Sequence, residues 1–135
     1  MRKGKYLLDT NICIFLQKGR KEVVERFREI GLDNCYISEI TKAEMLFGAY
    51  KADNPSKEVS FTSRFLDQFK ILPISDAITI YAQQKARLRK AGTPVDDLDL
   101  FIGSTAIAYE CIMVTENLRH FNLQEGIKVE NWVKR

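Results

Sequence analysis

Residues 5–11 read KYLLDTN, a short apolar run that stops at Asp9. The run is β-prone, and either Asp9 or Thr10 can cap a helix that follows it. Residues 5–8 are therefore predicted to form a buried strand, and residues 10–17 the first helix. This strand followed by a helix is the first unit of a pattern that repeats in the rest of the sequence.

The same alternation continues along the whole chain. Further strands are predicted at residues 35–37, 70–74, 112–115 and 127–129. Helices are predicted at residues 21–30, 40–50, 61–69, 75–92 and 97–109. Alternating strands and helices predict an α/β fold, in which a five-stranded parallel sheet has helices on both faces. Because no repeat or low-complexity linker interrupts the pattern, residues 1–135 are predicted to form one domain.

The composition narrows the class of protein. Of the 135 residues, 45% are apolar and 29% are charged. The longest uncharged apolar stretch, residues 100–109, is about half of the ~20 residues that a membrane span needs. Cys13, Cys35 and Cys111 form no Cys-x-x-Cys pair, which argues against a disulfide framework or a zinc site. We therefore expect no membrane association and a reducing, cytoplasmic location.

His120 is the only histidine in the chain. A single histidine excludes a histidine-pair zinc site and a two-histidine nuclease, and it leaves no convincing Ser-His-Asp set. Any hydrolytic chemistry must then depend on carboxylates. The net charge of +3 permits a polyanionic substrate without requiring one.

The carboxyl ends of the predicted strands select the first candidate residues. In open parallel sheets, ligands bind beyond these ends, at the point where the strand order reverses. This rule selects Asp9 and Asn11 after the first strand, and Thr115, Glu116 and Asn117 after the fourth. Taken alone, Asp9 is explained equally well as a helix cap, but its position at a strand end favours a functional role.

Glu44 is the second candidate acid. Its helix is predicted to place four apolar residues on one arc: Ile40, Ala43, Phe47 and Tyr50. Glu44 lies at the edge of that arc, and Gly48, one turn on, leaves space beside the carboxylate. Residues 41–44 also match a capping box, but Ser38 is an equally good cap one turn earlier. A functional role is therefore favoured over capping.

Asp99 repeats this arrangement. The predicted core face of its helix comprises Leu98, Phe101, Ile102, Thr105 and Tyr109. Asp99 borders this face, Gly103 lies four residues on, and Ala106 extends the strip of small residues. Asp96 and Asp97 fit better as first-turn acids that the helix dipole favours. Two acids at the edge of a core face, each with a glycine one turn on, indicate a shared site.

Asp9, Glu44 and Asp99 are predicted to form a catalytic cluster. Buried carboxylates repel one another unless a cation compensates their charge. Oxygen ligands select a hard ion, Mg²⁺ or Mn²⁺. Such an ion activates water and neutralises a phosphate oxygen, and two ions about 4 Å apart would stabilise both the attacking and the leaving oxygen. The sequence leaves open whether one ion or two would bind.

Taken together, these motifs resemble a PIN domain. The series LLDTN, Glu44 within a helix, DLDLFIGSTA, VTENLRHF and VENW spans essentially the whole chain and looks most like the VapC toxins of bacterial toxin–antitoxin pairs. The resemblance implies a Mg²⁺- or Mn²⁺-dependent ribonuclease with a five-stranded parallel sheet. It also implies that Asp9, Glu44 and Asp99 hold the metal, with Asn117 in the fourth catalytic position and Thr115 before it.

Two positions depart from the family pattern. The fourth position is often aspartate, so Asn117 lowers the negative charge of the site and would weaken a second ion; Glu116 is the alternative acid. The usual Ile-Ala-Ala after the third acid is Ile102-Gly103-Ser104 here. Both replacements are small, so the packing argument is unchanged.

The resemblance further implies a reaction and partners. The reaction is metal-assisted hydrolysis of RNA, with tRNA as the expected target and with 5′-phosphate and 3′-hydroxyl ends. The partners are a VapB-type antitoxin, a second copy in a homodimer, and operator DNA only through the antitoxin. Six apolar residues line an antitoxin groove or belong to the core: Phe15, Leu16, Val24, Phe27, Phe61 and Phe65. Lys85, Arg87 and Arg89 either contact RNA phosphates or form a solvated helix face.

Two other classes of protein also use an aspartate after the first strand. A phosphatase of the haloacid dehalogenase class needs a second aspartate two residues later, where this chain has Asn11. A receiver-type signalling domain would use Thr115 and Lys128, but its phosphoacceptor follows the third strand, where only Asp76 is available. A non-catalytic binding module leaves the paired acids unexplained. The sequence therefore favours the nuclease.

Overall fold

The structure, a computed structural model, describes residues 4–135, so residues 1–3 of the predicted domain lie outside it. Its strands are β1 (Tyr6–Leu8), β2 (Cys35–Ser38), β3 (Lys70–Leu72), β4 (Ile112–Val114) and β5 (Lys128–Glu130). They form one parallel sheet in the order β3-β2-β1-β4-β5. The predicted fold class is confirmed. The strand order reverses between β1 and β4, which is where a ligand site is expected.

Helices cover both faces of this sheet. Within residues 4–135 they are α1 (Thr10–Gln17), α2 (Lys21–Ile30), α3 (Glu39–Tyr50), α4 (Pro55–Leu66), α5 (Ile78–Lys90), α6 (Asp97–Ala108) and α7 (Leu118–Phe121). Side chains cap four of them by accepting backbone N–H groups: Asp9, Ser38, Asn54 and Asp96. Of the helices described, none has the length and apolar character needed to cross a membrane.

The strand side chains alternate between two buried clusters, one on each face of the sheet. Tyr6 and Leu8 of β1 belong to one cluster, and Leu7 belongs to the other. The helices that complete the first cluster contribute Ile12, Val23, Met45 and Leu66. The helices that complete the second contribute Ile102, Ala106 and Phe121. Each fully buried leucine stabilises the fold by about 1.5–3 kcal/mol, so β1 and the aspartate at its end are firmly anchored.

Several predicted element boundaries are wrong. The helix α4 ends before Phe69, which packs into the first cluster from the connection to β3. The strand β3 ends before Pro73, because proline has no N–H to donate to a strand ladder. A 3₁₀ turn at Ser75–Ala77 precedes α5, so the long helix begins later than predicted.

The predicted core faces of α3 and α6 are partly wrong. Two residues assigned to the core are each 65% exposed, Phe47 and Tyr50. The buried row of α3 is Thr41, Met45 and Ala49. Thr41 is buried because its hydroxyl lies within hydrogen-bond distance of the hydroxyls of Ser38 and Thr10, so apolar character alone selects the wrong side of the helix. On α6, Leu98 is exposed and Leu100 is buried.

Candidate active site

Asp9 lies at the carboxyl end of β1 and is 7% exposed. One carboxylate oxygen accepts from the backbone N–H of Thr10 at 2.8 Å, and the other accepts from the hydroxyl of Thr115 at 2.8 Å. Asp9 therefore caps α1 and faces the predicted site at the same time. Burial raises the pKa of Asp9 above its ordinary value, although both hydrogen bonds act to lower it.

Glu44 reaches the same edge of the sheet from α3. The hydroxyl of Thr10 donates to Glu44 Oε1 at 2.6 Å, and the hydroxyl oxygens of Thr10 and Thr41 are 3.1 Å apart. Ser38 caps α3 by accepting from the backbone N–H of Thr41 at 3.1 Å, so Glu44 is not part of a capping box. Thr10 thus connects the second acid to Asp9, its neighbour in the chain.

Asp99 lies in the first turn of α6, and its side chain is 26% exposed. Burial, together with the negative charges of Asp9, Asp96 and Glu44, raises the pKa of Asp99 to about 6, whereas His120 acts in the opposite direction. Asp9, Glu44 and Asp99, which come from β1, α3 and α6, therefore lie near enough to one another for their charges to interact.

The residues after β4 complete this edge of the sheet. Thr115 is fully buried, and its hydroxyl both donates to Asp9 and accepts from the backbone N–H of Asn117 at 2.9 Å. The side-chain amide nitrogen of Asn117 lies 3.1 Å from His120 Nδ1. The same ring nitrogen lies 3.9 Å from Asp99 Oδ2. Asn117 is therefore at the site, with its amide turned to the histidine.

Two further candidates, Glu116 and Asn11, make no hydrogen bond to the three acids in the described residues. The guanidinium of Arg135 donates to both carboxylate oxygens of Glu116, with Nη2 at 2.9 Å from Oε1. These hydrogen bonds lower the pKa of Glu116. Because its charge is already paired, Glu116 is a poor substitute for an acid at Asn117. Asn11 is exposed in the first turn of α1.

The glycines that follow Glu44 and Asp99 serve different purposes. A Cβ at Gly48 would meet no atom within 4 Å, in agreement with the space predicted there. A Cβ at Gly103 would overlap the side-chain amide of Gln124, so the prediction of open space is wrong at this position. Gln124 is 2% exposed, and its Nε2 donates to the backbone carbonyl of Asp99 at 3.3 Å. Gly103 therefore makes room for a buried amide that contacts the backbone of α6.

The donor set of this site suits a hard divalent cation. Asp9, Glu44 and Asp99 supply carboxylate oxygens. The pKa values of Asp9 and Asp99 are raised by burial and then by neighbouring negative charge, and a bound cation would offset both effects. Across residues 4–135, no three acidic, cysteine or histidine side chains already surround one point. Waters and phosphate oxygens would complete the coordination, as is usual for Mg²⁺ bound through one or two carboxylates.

The basic side chains of α5 are largely engaged within the protein. Lys85 Nζ contacts Asp97 Oδ1 at 2.9 Å. Arg87 Nη2 donates to the carbonyl of Leu123 at 2.6 Å, which joins α5 to the segment after α7. Arg89 is exposed. Contact with RNA stays a prediction for all three basic residues, and Arg89 has the most accessible charge.

Three residues at the site escaped the sequence reasoning: Thr10, Thr41 and His120. Thr10 directly follows Asp9 in the chain. Thr41 precedes Glu44 by three residues, a spacing that places both on the same side of a helix. These two spacings were the only signals that could have pointed to Thr10 and Thr41. The hydrogen bonds themselves join segments that are distant in sequence, and they depend on side-chain rotamers.

The sheet order and the three acids at the carboxyl edge of the sheet define the class of protein. The family model described as PIN domain matches residues 6–125. The chain therefore belongs to the PIN domain family, as the sequence predicted.

Relatives of similar length are known. The chain is 33% identical over 129 residues to the tRNA(fMet)-specific endonuclease VapC of Salmonella typhimurium, covering 95% of this chain and 98% of the relative. It is 34% identical over 131 residues to ribonuclease VapC2 of Haemophilus influenzae, covering 96% and 98%. The structure of DNA-bound VapBC from Salmonella typhimurium matches with a TM-score of 0.89 and 34% identity, covering 96% of this chain and 98% of that one.

Proposed function

We propose that this protein is a Mg²⁺- or Mn²⁺-dependent endoribonuclease that acts as the toxin of a toxin–antitoxin pair. The observation that carries the proposal is the coupling of Asp9, Glu44 and Asp99 at one edge of the sheet, which helps to raise the pKa of Asp99 to about 6. Relatives named as ribonucleases support it. The substrate class is tRNA. The location is the cytoplasm, where the buried free cysteines would stay reduced.

The chain's own side chains prepare the reaction. Asp9, Glu44 and Asp99 would hold the metal, which supplies charge neutralisation at the phosphate and a water of lowered pKa. Thr115 and Thr10 orient the carboxylates of Asp9 and Glu44 through hydrogen bonds. One of these three carboxylates can accept the proton of the attacking water as a general base. In-line attack then breaks the bond to the 3′ oxygen and leaves 5′-phosphate and 3′-hydroxyl ends.

The competing classes fit the structure less well. A receiver-type domain has the strand order 2-1-3-4-5, which differs from the order found here. Lys128 begins β5, at the opposite end of the strands from Asp9. Asp76 accepts a hydrogen bond from the hydroxyl of Tyr109 at 2.6 Å. A phosphatase would need a carboxylate where Asn11 stands. The nuclease is therefore the function that we propose.

The purified protein is expected to cleave tRNA with Mg²⁺ or Mn²⁺, to stop in EDTA and to recover when excess metal is added. Gel analysis of a labelled tRNA pool measures the rate, and end-labelling shows whether the products carry 5′ phosphates. The Asp9→Asn variant is expected to be slower by about 100-fold or more, since a ligand is lost. If cleavage persists in EDTA, or if Asp9→Asn cleaves at the wild-type rate, the activity comes from another nuclease or from another mechanism.

The Thr10→Val variant is expected to cleave RNA about tenfold more slowly, because Glu44 loses a hydrogen bond to its charged carboxylate. Valine keeps the branched shape, so circular dichroism should show an unchanged fold. The matched Thr10→Ser variant retains the hydroxyl and should cleave at nearly the wild-type rate. Equal rates for Thr10→Val and wild type would show that the hydroxyl does not position Glu44.

A VapB-type antitoxin is the proposed partner, with contact to operator DNA only through the antitoxin. Similar solved structures are VapBC complexes, and two of them contain DNA. Of the six residues predicted to line an antitoxin groove, five are half-buried and Phe61 is 46% exposed. The exposed Phe47 and Tyr50 of α3 offer a second apolar surface, suited to the other copy of a homodimer.

A further inference from the structure

We infer that His120 binds the substrate by donating a hydrogen bond from Nε2–H to a phosphate of the RNA, and that Asn117 positions its ring. This inference rests on the proposed function, because it places an RNA phosphodiester beside the three acids. It gives Asn117 a task different from holding a metal.

One ring nitrogen holds His120 at the rim of the acid cluster. Nδ1 lies 3.1 Å from the amide nitrogen of Asn117, and 3.9 Å from Asp99 Oδ2. The side-chain NH₂ of Asn117 occupies Nδ1, which leaves Nε2 as the ring nitrogen available to donate its N–H. In the part of the chain that the structure describes, Nε2 has no hydrogen-bond partner. The side chain is 53% exposed, so Nε2–H is available to a ligand.

Several other polar groups near the acids are already engaged. The hydroxyls of Thr10 and Thr115 donate to carboxylates of the cluster. The carboxylate of Glu116 is bound by Arg135. Without a bound cation the three carboxylates repel a phosphate, so a donor at the rim helps to hold the substrate in register. His120 supplies that donor without adding a further ligand to the acid cluster.

Residue 117 sets the orientation of the histidine ring. The side-chain amide nitrogen of Asn117 lies 3.1 Å from Nδ1, so Nε2 is the ring nitrogen left to meet a phosphate. Because the amide is uncharged, Asn117 orients the ring without adding a further negative charge beside the substrate.

The test measures binding of a fluorescein-labelled single-stranded RNA of about 12 nucleotides to the metal-free protein in EDTA, by fluorescence anisotropy. We expect His120→Ala to raise the Kd about tenfold. His120→Gln, whose amide N–H can replace Nε2–H, should restore most of the affinity. Asn117→Ala should raise the Kd several-fold, and the double alanine variant should bind no more weakly than His120→Ala alone. Asn122→Ala, a change of an exposed amide nearby, is the matched control and should bind like wild type.

Two further measurements make the result decisive. A DNA oligonucleotide of the same sequence should lose the same factor in His120→Ala, and a loss confined to RNA would overturn the assignment to phosphate. Mn²⁺ affinity should be unchanged in all variants, and a loss in Asn117→Ala without weaker RNA binding would overturn the positioning role.

If His120→Ala binds RNA like wild type, this inference fails alone. If the wild type neither binds nor cleaves RNA, the proposed function fails with it.

Discussion

The Asp99→Asn variant is expected to lose RNA cleavage and, without metal at pH 7, to unfold at a higher temperature than the wild type. Burial and neighbouring acids raise the pKa of Asp99 from 3.8 to about 6, so its ionised form destabilises the folded state. That rise corresponds to about 3 kcal/mol, which partial exposure to solvent reduces to about 1–2 kcal/mol. A neutral amide removes the penalty, and we expect an increase in Tm of about 3–8 °C.

Thermal unfolding with and without MgCl₂ measures this effect. The wild type should gain stability from Mg²⁺, because an ion that binds only the folded state stabilises it, and Asp99→Asn should gain little. Asp97→Asn is the matched control, since Asp97 is an exposed acid two residues away that pairs with Lys85. It should keep cleavage and show no rise in Tm. A metal-free Asp99→Asn protein less stable than the wild type would contradict the repulsion described here.

The layout of the fold could be predicted because local signals and global topology agree. The short apolar strands end at polar residues, and Gly31, with a φ of 92°, ends α2 where the sequence suggested. Because strands and helices alternate along the chain, a parallel sheet is the arrangement that agrees with these local signals. The carboxyl edge of β1 and β4 follows from that topology, which is why Asp9 and Thr115 could be placed at one site.

The buried faces of the helices were harder to predict. A polar side chain can be buried when it has hydrogen-bond partners, and the hydrophobicity of the sequence does not show which side chains have them. Thr41 is buried since neighbouring hydroxyls satisfy it, whereas Phe47 is left exposed. Gly103 was noticed for its position beside Asp99, but its neighbour Gln124 lies in a later segment. Asp9, Glu44 and Asp99 lie near enough for their charges to interact, although the open space expected beside Asp99 is filled by Gln124.

The individual hydrogen bonds of the site could not be predicted. They join residues that are far apart in the sequence, and each one forms only when its side chains adopt particular rotamers. Thr10 and Glu44 are 34 residues apart in the chain, and Thr115 and Asp9 are 106 apart. The sequence treated His120 only as evidence against histidine chemistry. Its place beside Asn117 depends on the short helix α7, which was not among the helices predicted from the sequence.

Binding of Mn²⁺ is expected to weaken steeply as the pH falls below 6. Asp99, with a pKa of about 6, must lose its proton to bind a cation, and the pKa of Asp9 is raised as well. Protons then compete with the metal, and the apparent affinity should fall about tenfold between pH 7 and pH 5. Isothermal titration calorimetry at pH 5, 6 and 7 measures this change, and the cleavage rate at limiting metal should follow the same curve.

The stability of the metal-free protein should change in the opposite direction, which separates proton competition from acid unfolding. The folded state binds the Asp99 proton more tightly than the unfolded chain does, because its pKa is about 6 against an ordinary 3.8. The stabilisation from this proton is complete below about pH 4 and is lost as the pH rises through 6. Asp99 should therefore make the metal-free protein more stable at pH 5 than at pH 7. If metal-free Tm falls together with Mn²⁺ affinity on acidification, general unfolding explains the loss. If it rises, the acid cluster destabilises the fold that carries it, and the cation reverses that effect only when the acids are ionised.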